Sequence, residues 1–158
     1  MSSGGYRIEP LADHDRMSFA SGSEILDRYF RERVGQDVRR RLASCFVAVD
    51  TQENVAGFYT LAASAVSLDM IAPHRARKLP RYPQIPAVLL GRLAVAKEHQ
   101  RQHLGAALVA DALVRSAGSE IAAHLVVVDA KDERAARFYE HLGFERLDGE
   151  SLRLIRAL

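Results

Sequence analysis

Leu90-Gly91-Arg92-Leu93-Ala94-Val95, followed by Gln100-Arg101-Gln102-His103-Leu104-Gly105-Ala106, is the stretch on which the reading of this chain turns. A strand-like run ends, a short polar loop follows, and a helix opens on the loop. The first N–H groups of a helix have no intrahelical acceptor, and the helix dipole adds positive character there. Such a loop is suited to an anion such as a phosphate. On spacing alone a bare structural loop explains it equally well. Arg101 and His103 add charge if the loop binds an anion, and are ordinary surface residues if it does not.

Downstream, Gly105–Ser116 is an apolar-periodic helix, and His124–Val128 is a β-branched strand. Glu133–Leu142 reads as a helix capped by Asp132 and stopped by Gly143, and Leu152–Ile155 as a last strand. Upstream, Arg7–Leu11 is a short strand. Ser23 caps a helix that places Ile25, Leu26, Tyr29 and Phe30 on one face. Gly35 interrupts that helix, and Asp37–Leu42 forms a second short one. Cys45–Val49 and Val55–Leu61 flank the polar turn Asp50-Thr51-Gln52-Glu53-Asn54, a hairpin whose second strand runs on toward Leu68. Pro73, Pro80, Pro83 and Pro86 make the next stretch a stiff, exposed connection rather than a helix, and Ala87–Val95 is a strand. Strands first, then alternating strands and helices, predict one mixed α/β (α+β) domain over residues 1–158.

The composition, 48% apolar and 27% charged over 158 residues, is that of a globular chain able to bury a core. Cys45 is the single cysteine, in a strand, so no internal disulfide forms and a buried small hydrophobe is its simplest role. His14, His74, His99, His103, His124 and His141 show no metal-ligand spacing, and no metal is expected. GxGxxG after an early strand, GxxxxGK[ST] and HExxH are all lacking, which leaves nucleotide hydrolysis and metalloprotease chemistry without support. The N-terminus lacks a signal-like apolar stretch, and no run approaches membrane-spanning length. A cytoplasmic protein without membrane contact is expected.

The net charge is only +2, but it is unevenly spread. Arg28, Arg31, Arg33, Arg39, Arg40 and Arg41 face only Glu32 and Asp37 across that segment, a local +4. Arg75, Arg77, Lys78 and Arg81 add a second +4 with no intervening acid. Two such patches can focus a field, or simply be solvated surface balanced by acids folded nearby. Tyr139 is likewise open on pattern alone. It packs at helical spacing with Ala135, Phe138 and Leu142, or it points its hydroxyl into a cleft as a proton donor, since a phenol stays protonated at neutral pH.

Taken together, these segments resemble the GCN5-related N-acetyltransferase (GNAT) superfamily. Gln100-Arg101-Gln102-His103-Leu104-Gly105 answers its acetyl-CoA loop, Gln/Arg-x-x-Gly-x-Gly/Ala. The segment from Asp132 through Phe138-Tyr139 to Gly143-Phe144 answers Asn-x-x-Ala-x-x-Phe-Tyr-x-x-x-Gly-Phe. Further phrases are similar to the acetyltransferase toxins of type II toxin–antitoxin systems: Leu26-Asp27-Arg28-Tyr29-Phe30, Gly57-Phe58-Tyr59-Thr60-Leu61, the run Leu79–Pro86, and Leu89–Val95. The resemblance implies a mostly antiparallel central sheet splayed at the cofactor site, with about four helices on its faces. It implies acetyl transfer from acetyl-CoA to the α-amino group of aminoacyl-tRNA by direct attack, with Tyr139 as general acid and translation blocked.

Cofactor contacts carried over by the resemblance are Leu93, Ala94, Val95, Gln100, Arg101, Gln102, His103, Leu104, Gly105, Ala106, Asp132, Ala135 and Phe138. Candidates for the tRNA backbone are Arg28, Arg31, Arg39, Arg40, Arg41, Arg75, Arg77, Lys78, Arg81 and Arg92. The partners implied are a ribbon-helix-helix antitoxin, a second copy of the chain, and operator DNA only through the antitoxin. A small-molecule or protein N-terminal acetyltransferase, or a non-catalytic acetyl-CoA-binding module, shares the same motifs. Two positions depart from the pattern. His103 stands where the family loop has its first glycine, so a positive φ there costs strain or shifts the loop. Asp132 replaces the frequent Asn but keeps a capping oxygen.

Overall fold

The computed structural model describes residues 5–158 and the backbone of residues 2–3. Among the described residues eight strands follow the sheet order β1-β2-β3-β4-β5-β6-β8-β7: Ser2–Ser3, Tyr6–Pro10, Ser44–Val49, Val55–Ser67, Gln84–Val95, Leu125–Asp129, Glu145–Arg146 and Arg153–Ala157 for β1 to β8. The helices are α1 (Glu24–Arg28), α2 (Val34–Arg39), α3 (Pro73–Ala76), α4 (Leu104–Ala117) and α5 (Glu133–His141). Two compact units emerge, Met1–Ala62 with Gly91–Ala112, and Ala63–Leu90 with Leu113–Leu158; β4, β5 and α4 run through both.

In the first unit β1, β2, β3 and β4 pair antiparallel in sequence order. The hairpin between β3 and β4 is tied by one carboxylate. Asp50 Oδ1 accepts the N–H groups of Gln52 (2.8 Å) and Asn54 (2.9 Å), which lets Glu53 take a left-handed φ of 65°. The expected break at Gly35 is absent. A π-helical turn, Tyr29–Arg33, joins α1 directly to α2, and the chain stops only at Arg41 (φ 60°). Widening the helix by that turn lets Tyr29, Phe30 and Val34 all face inward. Phe30 stacks on Phe58 at 4.3 Å and meets Phe19 edge-on at 5.0 Å, in a core shared with Val47, Val49, Ala94 and Ala96.

In the second unit β5 and β6 pair parallel through Ala87↔Leu125 to Leu90↔Val128, and β6, β8 and β7 pair antiparallel. Val66, Ile71, Leu79, Ile85, Leu125, Val127 and Ile155 form its core. The proline-rich connection is less bare than the sequence suggests. Pro73 opens the one-turn α3 at the first helical position, where a missing N–H costs nothing, and Leu79 and Ile85 are buried. Pro86 lies near the start of β5, with its carbonyl accepting His124 N–H at 2.9 Å. No helix among the described residues is long and apolar enough to cross a membrane.

Candidate functional site

The loop after β5 is assembled from the backbone outward. Ala96 N–H donates to Ala56 O (2.8 Å) and Lys97 N–H to Ala20 O (2.9 Å), fixing the exit from the strand. Gln100 then gives its side-chain amide to Ser21 O (2.8 Å) and Val95 O (3.0 Å), so it acts as a strut beneath the loop. Ser21 is itself held by Asp27, a buried carboxylate on α1. It accepts Ser21 N–H with both oxygens at 3.0 Å and the Ser21 hydroxyl at 2.6 Å.

Above this base Arg101 and His103 both adopt left-handed backbone, φ 64° and 62°. The positive φ implied for the first loop glycine is therefore present, and a histidine carries it. The first backbone bond of α4 runs from Ala107 N–H to His103 O at 3.1 Å. It leaves the N–H groups of Leu104, Gly105 and Ala106 at the mouth of a fourteen-residue helix without an intrahelical acceptor. Arg101, Gln102 and His103 are exposed, Leu104 is buried, and Gly105 and Ala106 are half-buried. Free N–H groups converging at a helix mouth are the chemistry that holds an anion.

Two features seat α4. A Cβ on Gly57 would lie 3.0 Å from both Ala94 O and Leu108 Cδ1, so the helix packs on β4 only because that residue is glycine. In the same core the Tyr59 hydroxyl donates to Asp111 on α4 at 2.6 Å, with both side chains buried. Leu93 and Val95 are half-buried and Ala94 is buried. Val95 O already accepts from Gln100.

Tyr139 belongs to the second unit, on α5. Asp132 caps that helix as expected, accepting Ala135 N–H at 2.8 Å, which commits one of its oxygens to the fold. At the other end Gly143 (φ 91°) donates to Glu140 O and Phe144 N–H to Tyr139 O, both at 3.1 Å. This double-bonded stop places the Phe144 ring edge-on to Tyr139 at 5.5 Å, while Phe138 lies 5.1 Å from Tyr139 on the helix itself. Ala135 and Phe138 are half-buried and Tyr139 is buried. Burial pushes the Tyr139 phenol up to about 12. Arg146 clamps the outside of the helix, reaching Glu133 at 2.7 and 2.8 Å and Glu140 at 3.3 Å.

The basic residues divide into two groups. Arg39, Arg40, Arg41, Arg77, Lys78 and Arg81 are exposed and make no ion pair among the described residues. Others are engaged. Arg31 donates to Phe19 O at 2.8 Å, Arg28 lies between Glu24 (3.6 Å) and Glu32 (3.7 Å), and Arg75 sits 3.8 Å from Glu145. Arg92 lies 3.8 Å above the ring of Tyr29, whose hydroxyl donates to Asp37 at 2.8 Å. Burial and that bond raise the Tyr29 phenol well above its ordinary range.

Sequence reasoning missed the supports Asp27, Gly57, Tyr59 and Asp111, and a network joining Tyr6, Asp50 and His99 to Gln102. Apart from Asp27, whose partner Ser21 is six residues away, their partners lie tens of residues off in the chain, so local spacing carries no signal for them. The exception is the pair of phrases holding Asp27, Gly57 and Tyr59, which stood out without an assigned role.

Residues 41–146 match the acetyltransferase (GNAT) domain, and the chain belongs to that family. It is 36% identical, over 89% of its length and 84% of the relative's, to a tRNA-acetylating toxin of Mycobacterium tuberculosis. Among solved structures it is similar to AtaT complexed with acetyl-methionyl-tRNAfMet, with a TM-score of 0.85, 32% identity, and 96% and 94% of the two chains covered. It is also similar to a tyrosine-to-phenylalanine mutant of AtaT bound to the C-terminus of the antitoxin AtaR and acetyl-CoA, with a TM-score of 0.79, 32% identity, and 97% and 93% covered.

Proposed function

We propose that this protein is an acetyl-CoA-dependent N-acetyltransferase that modifies the α-amino group of aminoacyl-tRNA and so blocks translation, acting as a single domain over residues 1–158. The observation that carries the reading is the 36% identity to a tRNA-acetylating toxin along 89% of the chain. The left-handed loop at Arg101 and His103 agrees with it, as do the exposed basic residues that make no ion pair among the described residues.

Acetyl-CoA supplies an activated acetyl thioester. The N–H groups of Leu104, Gly105 and Ala106 hold its pyrophosphate, with Arg101, Gln102 and His103 around them, and the backbone of Leu93, Ala94 and Val95 takes the pantetheine arm. Asp132, Ala135 and Phe138 line the later helix. An α-amine near pKa 8 is partly neutral at working pH, and the adjacent ester lowers it further, so no strong base is required of this chain. Tyr139 would hold its phenolic proton for the departing sulfur, and the proton that the amine sheds on forming the amide would restore the phenol.

Arg39, Arg40, Arg41, Arg77, Lys78 and Arg81 form the steering surface for the acceptor-stem phosphates. Arg28, Arg31, Arg75 and Arg92 reach tRNA only from positions already set by protein contacts. A ribbon-helix-helix antitoxin, a homodimer and operator contact through the antitoxin complete the proposal, with action in the cytoplasm where charged tRNA is found.

The test is incubation with labelled acetyl-CoA and a total charged tRNA pool, followed by identification of the aminoacyl species that gains label. Label on aminoacyl-tRNA is the expected result. Label on free polyamines or peptide N-termini, with none on tRNA, would overturn it.

A further inference from the structure

Beside the loop lies a hydrogen-bond chain that the acetyl-transfer reading does not use. The Tyr6 hydroxyl on β2 donates to Gln102 Oε1 at 2.8 Å and stands 2.7 Å from His99 Nδ1. On the other side of the imidazole, His99 Nε2 lies 3.2 Å from Asp50 Oδ2, in the hairpin between β3 and β4. Tyr6 and His99 also meet edge-on at 5.4 Å. These groups come from three separate parts of the first unit and converge on one residue of the loop. Tyr6 and Asp50 are the titratable groups facing His99, and Arg101 and His103 flank Gln102 along the loop.

The proton count sets the arrangement. A phenol has one proton, and here Gln102 receives it. With the Tyr6 proton on Gln102, a proton on Nδ1 completes the contact with the Tyr6 oxygen and Nε2 donates to the facing carboxylate, so this arrangement is the one that suits the doubly protonated ring. Burial alone would raise Asp50, but the N–H groups of Asn54 and Gln52, with His99, outweigh it and hold the carboxyl below its usual range. When the imidazole loses a proton it keeps Nε2–H toward Asp50. Nδ1 then accepts the Tyr6 proton, and Gln102 satisfies the Tyr6 oxygen only by turning its amide around. The two states differ in which end of Gln102 faces away from Tyr6. The NH₂ group faces away with His99 doubly protonated, and the carbonyl faces away with His99 neutral.

We propose that His99, bridged between Asp50 and Tyr6, is a positioning residue that sets the orientation of the Gln102 amide and thereby makes the loop a better anion holder when His99 is charged. An outward NH₂ donates to a phosphate oxygen, and an outward carbonyl repels it. This rests on the reading that residues 100–106 hold the pyrophosphate of acetyl-CoA. Tyr6 transmits the charge state, so removing its hydroxyl uncouples Gln102 from His99 and leaves the ring packing in place.

The experiment is calorimetric titration of acetyl-CoA into the free protein from pH 5.5 to 8.5, for wild type, Tyr6→Phe and Gln102→Leu, with the imidazole nitrogen shifts of His99 followed by NMR. The ligand's own phosphate ionisation is common to all three proteins. Wild-type affinity is expected to fall about tenfold more than that of either variant as the imidazole titrates, the size of one charge-assisted hydrogen bond. His99 is expected to show both nitrogens protonated at the acid end. Identical pH profiles in wild type and Tyr6→Phe, or a single-nitrogen tautomer at the acid end, would overturn the proposal while leaving the loop assignment standing. Absence of acetyl-CoA binding at every pH, in protein whose His99 signals are those of the folded network, would remove the loop assignment and the proposal together. Gln102 is exposed, so its variant keeps the test informative should Tyr6→Phe fold poorly.

Discussion

Replacing His103 by alanine and, separately, by glycine isolates the backbone of the loop from its side chain. His103 has φ 62°, where an L-residue crowds its own carbonyl at a cost of about 1–2 kcal/mol. Glycine removes that cost but loses about 0.5–1 kcal/mol more conformational freedom on folding. The difference leaves His103→Gly about 0.5–1 kcal/mol more stable than His103→Ala. In a domain of this size that corresponds to a higher Tm by roughly 1–4 °C. Urea melts of the two variants, with their calorimetric affinities for acetyl-CoA, read the effect directly. Both variants lack the imidazole, so any affinity difference between them comes from the backbone alone. Arg101→Ala and Arg101→Gly provide a parallel pair at φ 64°. Equal stability of alanine and glycine at both positions would refute the left-handed loop and remove the geometric basis of the anion cradle.

Gly57→Ala is expected to cost about 1–3 kcal/mol in urea melts and to weaken acetyl-CoA binding, because the added methyl meets backbone Ala94 O at 3.0 Å and displaces α4. Charge reversal at Arg39, Arg40 and Arg41 should weaken tRNA binding and flatten its dependence on salt, measured by filter binding across a salt series; Arg31→Glu should instead lower stability, since that side chain bonds Phe19 O at 2.8 Å. Tyr139→Phe should lower turnover by about a hundredfold or more with acetyl-CoA affinity retained. It should also change the pH dependence of stability. The folded phenol holds its proton to about 12 while the unfolded one releases it near 10. The stabilisation is therefore complete below pH 10 and lost as pH rises toward 12, a span of about 2–3 kcal/mol that the phenylalanine variant lacks in alkaline urea melts.

Much of the architecture is legible because local chemistry and final structure agree. Asp132 and Gly143 bracket α5 as capping rules require, two apolar runs around a polar turn mark β3 and β4, and a run of β-branched residues marks β6. Legibility failed where tertiary contacts overrode local preference. Gly35 does not end its helix, because Phe30 and Val34 bury deeply enough to hold a π-helical turn together. Pro73 sits at the first position of α3, where a missing N–H does no harm, and Pro86 lies inside β5. Within the candidate site the loop residues were visible, but Gln100 proved to support the loop from below, and four of the nine arginines considered for tRNA are engaged by the protein. Such outcomes depend on which acid or carbonyl folds nearby, and a one-dimensional charge count holds no information about that.

The choice of Tyr139 among the five tyrosines follows from where each phenolic proton is spent. Tyr6 has Gln102 and His99 to take its proton, Tyr29 gives its own to Asp37 and Tyr59 to Asp111, each within 2.8 Å. Tyr82 is two-thirds exposed, where water replaces any proton it releases and the protein cannot direct it. Tyr139 alone is buried with no hydrogen bond to its hydroxyl among the described residues, and burial is the one cause of its raised pKa. A phenol in that condition is protonated at every working pH and has no internal acceptor to satisfy first. Its ring is held by Phe138 and by Phe144, and Phe144 is delivered by the same Gly143 turn that ends α5. On the proposed reading the helix stop and the acid are one design: a residue other than glycine at position 143, with Arg156 Nε 2.9 Å from its Cβ, would disturb the aromatic contact that holds Tyr139.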